Sequence, residues 1–256
     1  MSFARGLIAF AGLALATACS PAVEEAAAPE PAAETAHAEG HAHWAYSDQA
    51  AWGETCAVGQ SQSPIALSSA TVDTDLPNLA PTYAAGSGVL LNNGHTLQFT
   101  PDVAGSLTIG ADAYGLRQFH FHGPSEHTLD GASFPLELHF VHRNAEDALA
   151  VVGVMIREGA ENPALAALIA AIPTATGDAA ATRPTVDPAA LLPASRDYFA
   201  YAGSLTTPPC TEGVRWNVIS QPIEASAAQI AALSTALGVS NRAVQPLNTR
   251  TPAQGT

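Results

Sequence analysis

From Gln118 to His122 the chain reads Gln-Phe-His-Phe-His, an alternation that a β-strand sorts onto two faces. In a strand His120 and His122 share one face, while Phe119 and Phe121 point the opposite way, into a core. Leu-His-Phe at 138–140 repeats the pattern and supplies a third imidazole, His139. Gly123, Pro124, Asp130 and Gly131 lie between the two runs and turn the chain back, so a return strand is predicted from near Phe134. Three neutral histidine nitrogens on rigid strands, with no fourth protein ligand, describe a catalytic zinc site whose open position holds water.

The surrounding sequence is strand-rich. Runs of strand character at 89–91, 96–99, 116–122, 136–142, 149–156 and 214–219 are each bounded by Gly, Pro, Asn or Asp. A helix is predicted over 162–172, with Pro163 in its first turn and Pro173 stopping it. A second is predicted over 226–237, where Ser226 and Gln229 have capping-box spacing and Gly238 is a C-terminal stop. With 47% hydrophobic residues in 256, the expected architecture is a single, mainly β domain with a large, mostly antiparallel twisted central sheet and peripheral helices. Its expected bounds are 43–250, followed by a tail at 251–256.

The N-terminal segment reads differently. Residues 1–18 resemble a bacterial signal peptide: Arg5 precedes the apolar run 6–18, which is shorter than the roughly 20 residues of a membrane-crossing helix. Leu-Ala-Thr-Ala-Cys at 15–19 resembles a lipoprotein box, with Ala16 where the pattern prefers leucine; lipidation of Cys19 and simple cleavage after Ala18 are the two alternatives. Lipid at Cys19 would be the only membrane contact. Residues 19–42 are Ala, Pro and Glu with scarcely a large apolar side chain, and read as a disordered tether ending in a cluster of His37, His41 and His43. Export places the protein in the periplasm or at the cell surface. There Cys56 and Cys210, the pair left when Cys19 is set aside, could join as a disulfide; two separate buried thiols are the alternative. A net charge of −14, with no lysine at all, argues against nucleic acid as a partner. No oligomeric state is assigned.

Taken together, Gln-Phe-His-Phe-His at 118–122, Ser-Glu-His at 125–127, Glu-Leu-His at 137–139 and Gly-Ser-Leu-Thr-Thr-Pro-Pro-Cys at 203–210 resemble the alpha-class carbonic anhydrases. His-Trp-Ala-Tyr at 43–46, Gln-Ser-Pro-Ile at 62–65, Asn-Asn-Gly-His at 92–95 and Gln-Pro-Leu-Asn-Thr-Arg at 245–250 extend the resemblance, in order, over about 43–250. It implies that His120, His122 and His139 hold Zn2+ and that zinc-bound hydroxide hydrates CO2 reversibly to bicarbonate and a proton. Glu137, two residues before His139 and on its face, can accept that ring's second N–H, and Gln118 bears the same relation to His120. By resemblance Thr206 and Glu126 orient the hydroxide. Val141, Val151, Leu205 and Trp216, with Thr207, form the CO2 pocket. His95 is the proton shuttle, Tyr46, Asn93 and Gln98 form the polar wall that supports water, and Cys56 pairs with Cys210 as in exported members.

His127 and His142 are read as structural. Two departures stand out: Gly123 lies where some members carry tryptophan, and Ala243 replaces a common proline after Arg242. Weak ester hydrolysis is an expected side activity of the same metal chemistry. The rival is a non-catalytic zinc-binding cell-surface module of the same fold, which the intact ligand set, Glu126 and Thr206 disfavour.

Overall fold

The computed structural model describes residues 44–67, 71–72 and 75–255. The signal segment, Cys19, and the tether with His37, His41 and His43 lie outside the described residues. All of the described residues lie in the unit Gly40–Thr256.

The elements that build the site are β1 (Gly86–Asn92), β2 (Leu97–Pro101), β3 (Asp112–His122), β4 (Leu136–Arg143), β5 (Leu149–Glu158), α1 (Pro163–Ala170), β6 (Tyr198–Ser204), β7 (Glu212–Ala225), α2 (Ala227–Leu237) and β8 (Ala253–Gly255). Among the described residues they form the spine of a twelve-stranded sheet in the spatial order β1-β2-β3-β4-β5-β7-β6-β8. Its neighbours run antiparallel except at two places. β5 lies parallel to β7, and β8 lies parallel to the short strand Thr71–Val72. The expected tail beyond residue 250 is corrected here: Gly255 pairs with Tyr198 and Gln254 with Val72, so the segment fills a gap in the sheet. Ala-Gln-Gly carries no strand signature. Its conformation is set by the unpaired backbone of the two strands that flank it.

The period-2 pattern sorts the side chains as expected. Phe119, Phe121 and Phe140 are fully buried with Leu97, Phe99, Leu107 and Leu138 in the larger core, on the face away from the histidines. Phe119 packs on Phe99 and Phe140 at ring-centroid distances of 4.9 and 5.4 Å, so each ring gains contact energy beyond its burial of about 2 kcal/mol. Ile65, Leu67, Val151, Trp216 and Val218 form a second cluster on the histidine face. Both helices are capped by their own sequence. Asn162 accepts the Ala164 N–H and Pro163 opens α1, while Ser226 and Gln229 complete the capping box of α2. α1 ends at Ala170, two residues short of expectation, because Pro173 disfavours helical backbone before it. No helix among the described residues is long and apolar enough to cross a membrane.

His142 faces the larger core. Its Nδ1–H donates to the Ala150 carbonyl at 3.2 Å, which leaves Nε2 to accept from the Tyr83 hydroxyl at 2.7 Å. Burial pushes its pKa down to about 4. The unfolded chain binds that proton near pH 6.5, so stability is lost as pH falls from about 6.5 towards 4. About 2 kcal/mol should disappear between pH 7 and pH 5 on this account. In His142→Gln, which keeps a donor and an acceptor but cannot titrate, urea unfolding at the two pH values should differ by that much less; an unchanged difference would exonerate His142.

Cys56 and Cys210 are joined by a disulfide across 154 residues of sequence. Closing so long a loop contributes about 2–4 kcal/mol by restricting the unfolded chain. It also ties the N-terminal end of the domain to the loop that carries Thr206.

Candidate metal centre

Strand pairing delivers the three histidines to one point. His120 lies directly across the ladder from His139, and His122 across from Glu137. One nitrogen from each of His120, His122 and His139 lies within 4.8 Å of the others. The remaining ring nitrogen of each is bonded to an acceptor, which fixes the tautomers. His120 Nδ1 bonds Gln118 Oε1 at 2.8 Å, His122 Nδ1 bonds the Ser240 carbonyl at 2.6 Å, and His139 Nε2 bonds Glu137 Oε1 at 2.7 Å. A carbonyl or carboxylate can only accept, so each of these nitrogens carries the hydrogen and the opposite nitrogen keeps its lone pair. The three lone pairs converge. His122 Nε2 is buried and has no hydrogen-bond partner, a costly state unless a cation takes the lone pair. Burial lowers the pKa of all three rings, His122 to about 4, with the neighbouring imidazoles adding to the effect at His120. Neutral imidazoles facing one another are the donor set of a metal site.

A second group, His127, Glu137 and His139, is equally close but chemically different. Glu137 Oε1 accepts from both His127 Nδ1 and His139 Nε2 at 2.7 Å, and Oε2 accepts the backbone N–H groups of Glu126 and His127 at 2.8 and 2.9 Å. Burial works to raise the Glu137 pKa, but His127 and His139 outweigh it and hold the carboxyl well below its usual range. Every facing lone pair is already used, so this group is a hydrogen-bonded support for His139. The chain continues outward, with the Tyr201 hydroxyl 2.6 Å from His127 Nε2 and 2.9 Å from Ser63 Oγ. Gly153 lies opposite His139 on β5, and a Cβ there would come within 3.2 Å of Glu137 Oε1. The bare glycine lets the carboxylate sit behind the ring.

Beside the histidines, Glu126 is 1% exposed and Thr206 6%. Glu126 Oε1 accepts the backbone N–H of Arg242 at 2.8 Å. Oε2 makes no hydrogen bond of good geometry, although the Thr206 hydroxyl is near enough to pull the carboxyl's pKa down. Burial prevails and pushes that pKa up to about 7, against the pull of His139, Arg242 N–H and Thr206. Val151 and Trp216 pack in one apolar cluster, with Val141 and Leu205 half-buried against it and the Trp216 indole N–H fixed to the Ser204 carbonyl at 2.9 Å. Thr207, next to Thr206, is half-buried.

His95 sits at a rim. Its ring stacks on Trp44 at 3.8 Å with 13° between planes. Tyr46 bridges inward, its ring 6.5 Å from His95 and 6.5 Å from His122. Trp44, Tyr46, Asn93 and His95 line one hollow with Thr176 and Val239. Asn93 Oδ1 accepts the backbone N–H groups of His95 and Thr96, both at 2.9 Å, so its oxygen builds the turn that presents His95. Gln98 lies across the ladder from His120, but its amide leans along its own strand towards Thr100 Oγ1 at 3.4 Å and does not line the hollow. Sequence reasoning missed Trp44 as the stacking partner, although it stands in the same His-Trp-Ala-Tyr segment as Tyr46. It also missed Ser240 and Arg242, whose backbone groups hold His122 and Glu126; backbone donors leave no mark in side-chain pattern.

A three-histidine centre on neighbouring strands, backed by acceptors and flanked by a carboxylate, a threonine and an apolar wall, defines a metalloenzyme site. The sequence comparisons agree. A family model described as eukaryotic-type carbonic anhydrase matches residues 39–253. A carbonic anhydrase from Pectobacterium carotovorum is 42% identical over 226 residues, covering 84% of this chain and 92% of the relative. Photobacterium profundum alpha-carbonic anhydrase superposes with a TM-score of 0.75 at 42% identity, over 78% of this chain and 91% of that one. The alpha-carbonic anhydrase of Thermovibrio ammonificans, solved with the inhibitor sulfanilamide, gives a TM-score of 0.76 at 37% identity, over 84% and 100% of the two chains. This chain belongs to the alpha-class carbonic anhydrases, lyases whose reaction is the hydration of carbon dioxide.

Proposed function

We infer that this chain is a zinc enzyme interconverting CO2 and bicarbonate, with His120, His122 and His139 as the metal ligands. The observation that carries this is the set of three inward lone pairs, each fixed by an N–H donated outward. Three neutral nitrogens with no fourth protein ligand suit zinc with an open position. When bound, zinc supplies the Lewis acidity that makes water a nucleophile near neutral pH, a chemistry for which carbonic anhydrases are themselves the standard example.

The protein's own groups do the rest. The Thr206 hydroxyl donates a hydrogen bond to the Glu126 carboxylate, so the threonine oxygen presents a lone pair inward and orients the attacking water for its carbon target. A nearby dication would favour the carboxylate form of Glu126 that this role needs. Val141, Val151, Leu205 and Trp216 offer CO2 an apolar surface, and Thr207 borders it. Net reaction releases one proton, which must reach solvent. His95 carries it, with Tyr46 and Asn93 on the polar side of the path, while Gln98, whose amide is turned to Thr100, lies outside it.

Zinc analysis paired with stopped-flow CO2 hydration tests the assignment, and full activity in metal-free protein would sink it. Esters should be hydrolysed orders of magnitude more slowly than CO2 is hydrated. In His95→Ala, turnover in dilute buffer should fall about 100-fold, the low end of what a positioned proton-transfer group contributes, and recover when imidazole is added. An unchanged rate would clear His95 of proton export. The Cys56–Cys210 disulfide favours an oxidising compartment, which supports export to the periplasm or cell surface after removal of residues 1–18. Intact mass of the mature protein would separate lipid at Cys19 from simple cleavage after Ala18. A non-catalytic binding module of the same fold is disfavoured by the complete ligand set and by the Glu126–Thr206 pair.

A further inference from the structure

The segment after α2 delivers two backbone contacts to the site, the Ser240 carbonyl to His122 and the Arg242 N–H to Glu126. Yet residues 240–247 belong to no helix or strand, so no ladder holds them in register. Backbone bonds tie them at two points, Ser240 N–H to the Gly123 carbonyl at 2.9 Å and Gln245 N–H to the Pro64 carbonyl at 2.8 Å, and between these points side chains hold them, Gln49 at Asn241 and Ala243 among them. Ser240 Oγ accepts the Gly123 N–H at 3.0 Å. The Arg242 guanidinium, 3% exposed as a residue, reaches three acceptors on the other end of the domain: Gln62 Oε1 and the Ser63 carbonyl at 2.8 Å from Nη1, and the Cys56 carbonyl at 3.0 Å from Nη2. Its carbon lies 5.6 Å from the Trp52 ring centroid, a cation–π distance. Those acceptors are themselves fixed. Gln62 bonds the Cys210 carbonyl, the Ser63 N–H bonds Ser204 Oγ, and Cys56 is half of the disulfide.

A buried cation is retained only where its donors are matched, and a forked guanidinium can satisfy three acceptors that a lysine ammonium could not reach in one geometry. We propose that Arg242 is a positioning residue for the hydration step: its guanidinium sets where its own backbone N–H stands, and so fixes the Glu126 carboxylate that orients Thr206. This rests on the roles assigned above to Glu126 and Thr206. The same brace joins Glu126 to the Thr206 loop through Gln62 and Cys210, so one cation links the supports of both members of the pair.

The test is a double-mutant cycle on zinc-loaded, full-length protein, with zinc stoichiometry measured for every variant and rates taken well below each unfolding temperature. Arg242→Lys should lower kcat/KM for CO2 about tenfold with one zinc per chain retained, the size expected when an aligning contact is loosened and not lost. In a Thr206→Ala background the same change should cost less than about twofold, because the group through which Arg242 acts is already gone. Gln62→Met, which at similar volume removes one acceptor of Arg242 together with the amide donor to the Cys210 carbonyl and Glu212, should show the same pattern more weakly, and it carries the test if Arg242→Lys fails to fold. An undiminished tenfold loss on the Thr206→Ala background would overturn the proposal alone, as would full activity of both Arg242→Lys and Gln62→Met. Thr206→Ala at the wild-type rate would remove the reading of the pair and this proposal together.

Discussion

Replacing His120 with alanine is expected to abolish zinc binding and CO2 hydration together while leaving the fold intact. The choice among the three histidines matters. His139 shares Glu137 Oε1 with His127, so its loss would take one of four donors from a buried carboxylate. His122 anchors the segment that follows α2 through the Ser240 carbonyl. His120 is half-buried and supports only Gln118, so its removal takes a ligand away and little else. Two imidazoles with no third are a poor zinc site, and without the metal nothing makes water nucleophilic at neutral pH. Zinc content should fall below about 0.1 per chain and the rate should drop about 10⁴-fold or more, towards that of buffer. Circular dichroism should show an unfolding temperature for the metal-free variant close to that of metal-free wild type. Loss of zinc with retained hydration would refute the mechanism at its root.

Thr206→Ala is expected to separate orientation from metal binding. The hydroxyl touches no histidine in the hydrogen-bond pattern of the site, so zinc should stay at one per chain. On the proposed reading, what disappears is a hydroxyl that donates its hydrogen to Glu126 and so presents a lone pair inward. A misaligned nucleophile costs about 100-fold, and the loss should appear in kcat/KM for CO2. Thr206→Ser, which restores the hydroxyl without the methyl, should recover most of it. If alanine and serine are equally slow, the methyl packing is what matters and the orienting role fails.

Much of this was legible from the chain because the period of a strand is unforgiving. With two residues per repeat, His120 and His122 had to share a face and Phe119 and Phe121 had to oppose them, and the same phase placed Val141 with His139. Gln118 and Glu137 followed from the i, i+2 relation, and both bonds are present. What lay beyond reach had no side-chain signature. The Ser240 carbonyl and the Arg242 N–H act as backbone groups from an irregular segment more than a hundred residues away in sequence. β8 was missed because Ala-Gln-Gly has no propensity for a strand and takes its shape from the unpaired edges beside it. The roles of Asn93 and Gln98 could be suggested only by resemblance; the Asn93 oxygen builds the His95 turn, and the Gln98 amide leans along its strand.

β8 has a consequence for how the enzyme is made. It pairs on one side with β6 and on the other with Thr71–Val72, so closing the sheet brings together residues from near both ends of the described chain. Arg242, just upstream, lies 116 residues from the Glu126 it holds, and the disulfide spans 154 residues. Contacts this distant in sequence form slowly, after a long stretch of chain has been made. The histidine strands can therefore pair before the Ser240 carbonyl and the Arg242 N–H that hold His122 and Glu126 are in place. The sheet edge at β8, the disulfide and the supports of His122 and Glu126 thus all depend on contacts that are remote in sequence.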